Sequence, residues 1–191
     1  MRTRIALVHA AAAEFDRHGY AGTSMLQVCK AAGITTGALT FHFGSKGELA
    51  DAVQDLGRSA VRAAVERVTA RPAPALDLIV ELTMRLAGLL EDDIAVRSAA
   101  RLTRERPEGR LSLSASWLPT VSRLADHAHH AGQLRVGTSP AALAALVSYL
   151  LTGAEDRTRA ALGGTGRPDA VQQVQQIWGI ALPGICAERG V

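Results

Sequence analysis

Three histidines near the middle of the chain are the residues best placed for metal chemistry. Within residues 126–130, His127 and His130 lie on one face of a helix, and two imidazoles on one face can bind a metal ion. Histidines just before Gly132 also simply complement the dipole at the end of a helix. The sequence has no Gly-x-Ser-x-Gly, His-Glu-x-x-His or Walker pattern. We therefore predict no catalytic residues, no metal site, no cofactor and no enzymatic activity.

A second group of polar residues has the chemistry to bind phosphate. Thr35, Thr36 and Gly37 stand at the start of a short helical pattern, where unpaired backbone N–H groups and the helix dipole favour anions. The run Ala31-Ala32-Gly33 allows a close crossing with the preceding short helix. Two short helices joined in this way can place the second helix in the major groove of DNA. Spacing alone also fits an ordinary helical hairpin.

These groups lie in a sequence dominated by helical periodicity. Strand-like alternation is almost absent, so we predict an all-α fold. Gly19 is predicted to end the first helix, and Ser45 with Glu48 fits a capping box at the start of the fourth. The predicted helices cover residues 3–18, a short segment after Thr23-Ser24, either of which could cap it, and residues 35–41, 45–68, 75–90, 94–104, 112–131, 140–162 and 168–186. We place a domain boundary inside the fourth helix, which divides the chain into residues 1–48 and 49–191.

Composition limits the classes of protein that this chain can represent. It has 191 residues, of which 48% are hydrophobic, enough to bury a core. The net charge of +3 is weak support for a nucleic-acid partner. Two uncharged stretches, 136–154 and 170–187, are interrupted by turn residues, glutamines or proline and are too short for membrane spans. We also find no signal-peptide pattern, so we expect a cytoplasmic protein with no membrane partner.

Residues 4–50 contain a characteristic series of glycines and aromatic residues and a Phe-His-Phe-x-x-Lys run. The sequence reads AAEFDRHGYAGTS over residues 12–24 and AAGITTGALTFHFGSKGEL over residues 31–49. This segment closely resembles the N-terminal helix-turn-helix domain of TetR-family transcriptional repressors. The resemblance implies an all-α homodimer. Residues 1–48 would bind double-stranded operator DNA, and the larger helical domain, residues 49–191, would dimerise and bind a small-molecule effector that releases the DNA.

The resemblance also assigns roles to individual residues of this segment. It implies groove or phosphate contacts by Thr23, Thr35, Thr36, Gly37, Thr40, His42 and Lys46. Relatives usually carry lysine and tyrosine where this chain has Thr36 and Thr40, so a cationic and a phenolic contact are replaced by short hydroxyl groups. Two consequences stay open: a lower affinity for operator DNA and a different operator sequence. The residues that we assign to the core are Phe15, Val28, Cys29, Ile34, Phe41 and Phe43.

The C-terminal part has Trp117 at the start of a helix and Ile177-Trp178 in the last one. Together with the Gly-Ala-Leu-x-Phe-His-Phe motif, these features resemble the sequences of the γ-butyrolactone autoregulator receptors of antibiotic-producing actinobacteria. This resemblance implies that the effector is a γ-butyrolactone, a related signalling molecule or an antibiotic intermediate. Trp117 offers a flat apolar surface for a ligand ring. Further candidates for the same cavity are Leu82, Leu86, Leu90, Val121 and Tyr149.

The last two predicted helices carry so little charge that we expect them to form the homodimer interface. Their apolar stripes hold more hydrophobic surface than one core needs. The residues of the two stripes are Leu143, Leu146, Val147, Leu150 and Ala154, and Val171, Val174, Ile177, Trp178, Ala181 and Ile185.

Two other classes of function stay open at this point. One is a helical DNA-binding protein without a small-molecule effector, because leucines and valines at helical spacing also form ordinary cores. The other is a small metal-dependent helical enzyme built around His127 and His130.

Overall fold

The computed structural model describes residues 2–106, 112–162 and 169–187, and within them every regular element is helical. A single 3-10 turn spans Leu113–Ser116. No described helix is long and apolar enough to cross a membrane. The predicted all-α fold is confirmed. The helices are α1 (Arg2–Gly22), α2 (Met25–Ala32), α3 (Thr36–His42), α4 (Lys46–Thr69), α5 (Ala75–Asp92), α6 (Ile94–Glu105), α7 (Leu118–His130), α8 (Pro140–Leu162) and α9 (Ala170–Ile185).

The helical path of α1 is interrupted by a kink at Gly19, the position where the sequence predicts that the first helix ends. Gly19 has a φ of 73°, in the left-handed region that favours glycine, and the chain then resumes a helical path to Gly22. A Cβ atom at this position would lie 2.6 Å from Nη2 of Arg101 in α6. The missing side chain therefore permits both the bend and the close approach of α6.

The helix predicted over residues 112–131 is divided in two. A 3-10 turn comes first, Trp117 occupies the N-cap position, and α7 begins at Leu118. Pro119 lies in the first turn of α7. Since proline has no backbone N–H group and is preorganised for that turn, it marks the start of a helix more readily than its middle.

Residues 1–61 and 93–113 form one compact unit, which we call the N-terminal unit. Its core combines residues of α1, α2, α3 and the first turns of α4 with Leu102 of α6, which is fully buried there. The sixth helix therefore packs with the first. The domain boundary expected between residues 48 and 49 stays a prediction.

Three arginines bind α6 to the remainder of the N-terminal unit. Arg97 forms an ion pair with Asp16 at 3.1 Å, and Nη1 of Arg101 donates to the Asp16 carbonyl at 2.7 Å. Arg106, just after α6, pairs with Asp51 of α4 at 2.8 Å. These contacts are long-range in sequence and partly shielded from solvent, so they hold α6 in register along α1.

The α4–α6 crossing predicts the effect of a one-carbon substitution. A Cβ atom on Gly57 would lie 2.5 Å from the Ala99 Cβ and 2.6 Å from the Ala95 carbonyl oxygen. Helix propensity alone would favour alanine by up to about 1 kcal/mol. The Ala95 backbone cannot rotate away from the added methyl group as a flexible side chain could. We therefore expect Gly57→Ala to lower the free energy of unfolding by about 1–3 kcal/mol.

Gly88→Ala is the matched control, because a Cβ atom there meets only Val171 at 4.0 Å. We expect this variant to be as stable as the unmodified protein or slightly more stable. Urea denaturation followed by circular dichroism measures both effects. Equal stability of the two variants would show that the close α4–α6 crossing is absent in solution.

Residues 62–92 and 114–191 form the second compact unit, the C-terminal unit. In it α5 packs against α7, α8 and α9. A carboxylate oxygen of Glu91 in α5 accepts the backbone N–H of Val171 at 2.8 Å, which satisfies one free donor in the first turn of α9. Arg157 and Asp169 form a bidentate ion pair between the end of α8 and the start of α9.

The two apolar stripes assigned to the dimer interface belong largely to the core of this unit. Leu143, Val147 and Leu150 of α8 are buried, as are Val174 and Trp178 of α9. The assignment of these residues to the interface is wrong. Periodicity identifies the apolar face of a helix, but it does not distinguish a face that packs within a subunit from one that packs between subunits.

Candidate functional site

The α2–α3 hairpin has the geometry that the sequence predicted. Ser24 caps α2 with a complete capping box, and Gly33, with a φ of 67°, turns the chain after that helix. Thr35 caps α3, where its Oγ1 accepts the backbone N–H of Ala38 at 3.3 Å. Two short helices are thus joined by a tight turn, as a helix-turn-helix requires.

One face of α3 is anchored and the other is free. Leu39 and Phe43 are buried in the core of the N-terminal unit. Thr35, Thr36, Gly37 and Thr40, four of the predicted DNA contacts, are all exposed. The hydroxyl of Thr40 donates to the Gly37 carbonyl at 3.1 Å. The structure therefore brings a short row of hydroxyl groups and bare backbone together at the start of α3.

Phe41 lies on this free face, and its assignment to the core is wrong. Its side chain is 85% exposed and contacts the His42 ring edge-on. Phe41 and Phe43, both predicted to be core residues, are two positions apart, which is the period of a strand. On a helix, residues four apart share a face, so Leu39 and Phe43 point inward and Phe41 points away from them.

Thr23 and Lys46 pack against the end of α1. The Thr23 side chain is 2% exposed, and its hydroxyl donates to the carbonyls of Gly19 and Glu14 at 2.8 and 3.1 Å. Nζ of Lys46 donates to the carbonyls of Tyr20 and Thr23 at 2.7 and 2.8 Å. The structure therefore gives Thr23 a packing role. Lys46 keeps a third N–H donor, which phosphate could accept.

Arg4 is a candidate that the sequence analysis missed. Its guanidinium group lies over the Phe43 ring, 4.9 Å from the ring centroid, and its side chain is exposed. The first turn of α1 contains no acidic residue, and a cation there opposes the helix dipole. An external anion such as phosphate would offset that cost. This unfavourable placement is the feature of the sequence that could have identified Arg4 as a candidate DNA contact.

His42, another predicted DNA contact, is half-buried and lies at the C-terminal end of α3.

A charged cluster joins the end of α6 to the bend in α1. The carboxylate of Glu105 accepts the backbone N–H of Tyr20 and pairs with Arg101 at 2.7 Å. Burial alone would raise the pKa of Glu105, but the hydrogen bonds from Arg101 and Tyr20, together with the Arg101 and Arg104 charges, lower the pKa below its ordinary value of 4.5. Glu105 is therefore ionised at neutral pH.

Five of the six predicted effector contacts lie in the core of the C-terminal unit. Leu82, Leu86 and Leu90 follow one face of α5, and Val121 is buried on α7, which packs against α5. Trp117, at the N-cap of α7, is buried as well.

Tyr149 is the exception among the effector candidates. Its side chain is 76% exposed, so it does not line the interior of this unit, and its assignment to a buried cavity is wrong. Val147, Leu150 and Leu151 occupy the inward face of the same helix turn. This leaves Tyr149 on the outer face of α8.

The histidines of α7 lie at its C-terminal end and are exposed. Nδ1 of His130 is 2.7 Å from the Asp126 carbonyl oxygen. Among the residues that the structure describes, no group of three or more His, Cys, Asp or Glu side chains is arranged to hold a metal ion.

Comparison with known proteins matches residues 7–53 to the family described as bacterial regulatory proteins, tetR family. The A-factor receptor protein of Streptomyces griseus is 28% identical over 198 aligned residues, which cover 100% of this chain and 66% of that protein. The chain thus spans just under two thirds of the length of that curated relative.

Two solved structures extend the comparison to the whole chain. Full-length TylP, a TetR regulator from Streptomyces fradiae, is 30% identical with a TM-score of 0.69, covering 98% of this chain and 88% of TylP. CprB from Streptomyces coelicolor, solved with its biological operator sequence, is 25% identical with a TM-score of 0.74, covering 98% of this chain and 90% of CprB. These relatives are a receptor and regulators, in agreement with the prediction that this protein is not an enzyme. The chain belongs to the TetR family of bacterial regulatory proteins.

Proposed function

We propose that this protein is a dimeric repressor that binds a pseudo-palindromic operator and is released from it by a small effector. The observation that carries the proposal is the free face of α3, where exposed hydroxyl groups and Phe41 stand on a helix anchored by Leu39 and Phe43. An anchored helix that presents hydroxyl groups on its outer face is suited to major-groove recognition. A DNA regulator of this kind would act in the cytoplasm.

In this proposal each subunit inserts α3 into one half-site. Thr35, Thr36 and Thr40 contact phosphates or base edges, and Arg4 and Lys46 contact the flanking phosphates. The two half-sites would lie about one helical turn of DNA apart, roughly 34–36 Å. Selection of bound duplexes from a random pool tests this. Recovery of an inverted repeat is the expected result, and recovery of no preferred sequence would contradict operator recognition.

Thr36→Lys is expected to make operator binding more dependent on salt. Position 36 is exposed at the N-terminal end of α3, and a lysine there would neutralise one more phosphate. The slope of log affinity against log salt concentration should steepen by up to about one unit per subunit. Fluorescence anisotropy with a labelled operator at several salt concentrations measures this slope.

Val136→Lys is the matched control for this substitution. It adds the same charge at a fully exposed position of the C-terminal unit, so the slope should stay close to that of the unmodified protein. An equal change in both variants would show that the effect is one of net charge and that position 36 does not face DNA.

The outer faces of α8 and α9 are the proposed dimer interface. Ala145, Tyr149 and Gly153 are exposed on α8, and Gly179 and Ile180 are exposed on α9. Small residues beside large apolar ones allow helices to approach closely and interdigitate. Pairing these faces about a two-fold axis would form a four-helix interface that joins two DNA-binding units.

Release requires that the effector prefer a conformation that fits DNA poorly. A coupling of about 1–3 kcal/mol corresponds to roughly 5- to 150-fold weaker DNA binding. The helix α4 belongs to both units, with residues 46–61 in the N-terminal unit and residues 62–69 in the C-terminal unit. We propose that α4 carries the change, and that the arginine contacts of α6 pass it to α1.

The effector would bind among the buried side chains around Trp117, Leu82 and Val121. The similarity to the A-factor receptor protein supports a receptor function for the C-terminal unit. We propose a γ-butyrolactone, a related signalling molecule or an antibiotic intermediate as its ligand. Thermal-shift screening with butenolides, furans and γ-butyrolactones tests this, and the expected result is a rise in melting temperature with one of these classes.

A further inference from the structure

The ring of Tyr20 contacts two cationic side chains that are far apart in the sequence. Nζ of Lys46, the first residue of α4, lies 4.4 Å from the ring centroid. The guanidinium carbon of Arg106, just after α6, lies 4.8 Å from the same centroid. A cation over an aromatic face is attracted by the quadrupole of the ring. Tyr20 therefore connects the start of α4 with the end of α6, within the N-terminal unit.

The end of α6 holds both the backbone and the ring of Tyr20. The backbone N–H of Tyr20 donates to the Glu105 carboxylate, and Arg106, the next residue, lies over the ring. Nη1 of Arg106 also donates to the Asp51 carboxylate at 2.8 Å and to the Gln54 side-chain oxygen at 3.3 Å, and both acceptors belong to α4. Arg106 is therefore a bridge between Tyr20 and α4.

Lys46 is held in place by uncharged groups. Its Nζ donates to the backbone carbonyls of Tyr20 and Thr23 at 2.7 and 2.8 Å. Both acceptors described for this ammonium group are neutral, so they fix its position without neutralising its charge. An ammonium group has three N–H donors, and the third remains for an external acceptor.

A flexible lysine loses rotamer freedom when it binds a phosphate, and this loss weakens the contact. In Lys46 the two carbonyls and the Tyr20 ring already restrict the side chain. The ring is fixed in turn by Arg106 and by stacking on Phe15, whose ring centroid is 6.0 Å away. Preorganisation of this kind raises affinity for a phosphate without adding a contact.

We infer that Tyr20 and Arg106 are positioning residues for operator binding: they hold Lys46 in the conformation that contacts a DNA phosphate, and neither needs to touch DNA itself. This inference rests on the proposed function, in which Lys46 contacts a flanking phosphate. It goes further because it makes Arg106, which follows α6 and lies outside the helix-turn-helix, a determinant of operator affinity.

A double-mutant cycle tests whether the two residues act through Lys46. Operator affinity and its salt slope are measured by anisotropy for Tyr20→Leu and Arg106→Gln, each alone and each combined with Lys46→Met. The labelled operator is the duplex recovered by selection.

Lys46→Met should lower the salt slope by about one unit per subunit, because one phosphate is no longer neutralised. Tyr20→Leu and Arg106→Gln should each weaken operator binding about fivefold to tenfold and lower the salt slope. In the Lys46→Met background, neither substitution should weaken binding further. Arg106→Gln changes a side chain at the end of α6, so it tests the inference even where Tyr20→Leu fails to fold.

Two controls separate positioning from the loss of a charge or a hydroxyl group. Tyr20→Phe keeps the aromatic ring, so it should retain the operator affinity and the salt slope. Arg104→Gln removes the same charge as Arg106→Gln at an exposed position of the same helix, and it should leave both quantities unchanged.

Melting temperatures are recorded for every variant, because Lys46 also satisfies carbonyls at the end of α1. A purely structural role of Tyr20 and Arg106 would lower the melting temperature and leave the salt slope unchanged. That result would overturn the inference.

The remaining outcomes separate this inference from the proposed function. Equal losses of affinity in the unmodified and Lys46→Met backgrounds would show that Tyr20 and Arg106 act independently of Lys46, which contradicts positioning. An unchanged salt slope in Lys46→Met would remove Lys46 from the DNA interface and overturn the inference, while recognition by α3 would still stand. Failure of the unmodified protein to bind any duplex would overturn the proposed function together with this inference.

Discussion

Ile180→Asp is expected to convert the protein from a dimer to a monomer and to weaken operator binding by roughly 100-fold or more. Ile180 is 80% exposed on the outer face of α9, next to Gly179. A carboxylate at this position would be buried without a partner in the proposed interface. Each monomer would then hold a single half-site, and the gain from binding two linked half-sites would be lost.

Light scattering coupled to size-exclusion chromatography measures the mass, and anisotropy measures operator affinity. Val136→Asp serves as the control, because Val136 is fully exposed in the C-terminal unit but lies on neither α8 nor α9. That variant should stay dimeric. A charge at Val174, by contrast, would enter the core of the subunit itself and test folding rather than assembly. If Ile180→Asp remains a dimer with normal affinity, the outer faces of α8 and α9 do not form the interface.

Trp117→Ala is expected to abolish the response to effector while operator affinity without effector stays within a few-fold. The ring of Trp117 is buried at the N-cap of α7 in the C-terminal unit, whereas the candidate DNA contacts belong to the N-terminal unit. Removing the ring would take away the proposed surface for the ligand. Truncation of a buried tryptophan also costs about 3–5 kcal/mol of stability, so melting temperatures must be recorded for the same samples.

Leu124→Ala provides the comparison at a buried position of the same helix that is not a predicted ligand contact. It should lower stability and retain the response to effector. Anisotropy with labelled operator, with and without an active lactone, measures both variants. If Trp117→Ala still releases DNA at the same lactone concentration as the unmodified protein, Trp117 is a core residue and not a ligand contact.

Local interactions account for the features that could be predicted before the structure. The start of α2 after Ser24 and the gap between α4 and α5 depend on interactions over a few residues, and each appears close to its predicted position. The register of the helix-turn-helix follows from the same short-range rules. The row formed by Thr35, Thr36 and Thr40 is consequently exposed as expected.

Apart from the division of the helix predicted over residues 112–131, the errors concern the neighbours of individual side chains. Phe41, predicted to be a core residue, lies on the outer face of α3. Thr23 was predicted to contact DNA phosphate. Its hydroxyl instead donates to the Gly19 carbonyl at the kink of α1. Tyr149 was assigned to a cavity and lies on the outer face of α8.

The sequence by itself determined most of the helices and the exposed threonine row of α3, because hydrogen bonds and steric preferences within one or two helical turns decide them. Only the tertiary structure decided that α6 joins the N-terminal core through Leu102 and that Leu143, Val147 and Leu150 of α8 are buried within the subunit. The partner of a buried side chain is set by the segment that tertiary packing places against it, and that segment is often far away in sequence. That choice depends on long-range contacts, which no local pattern records.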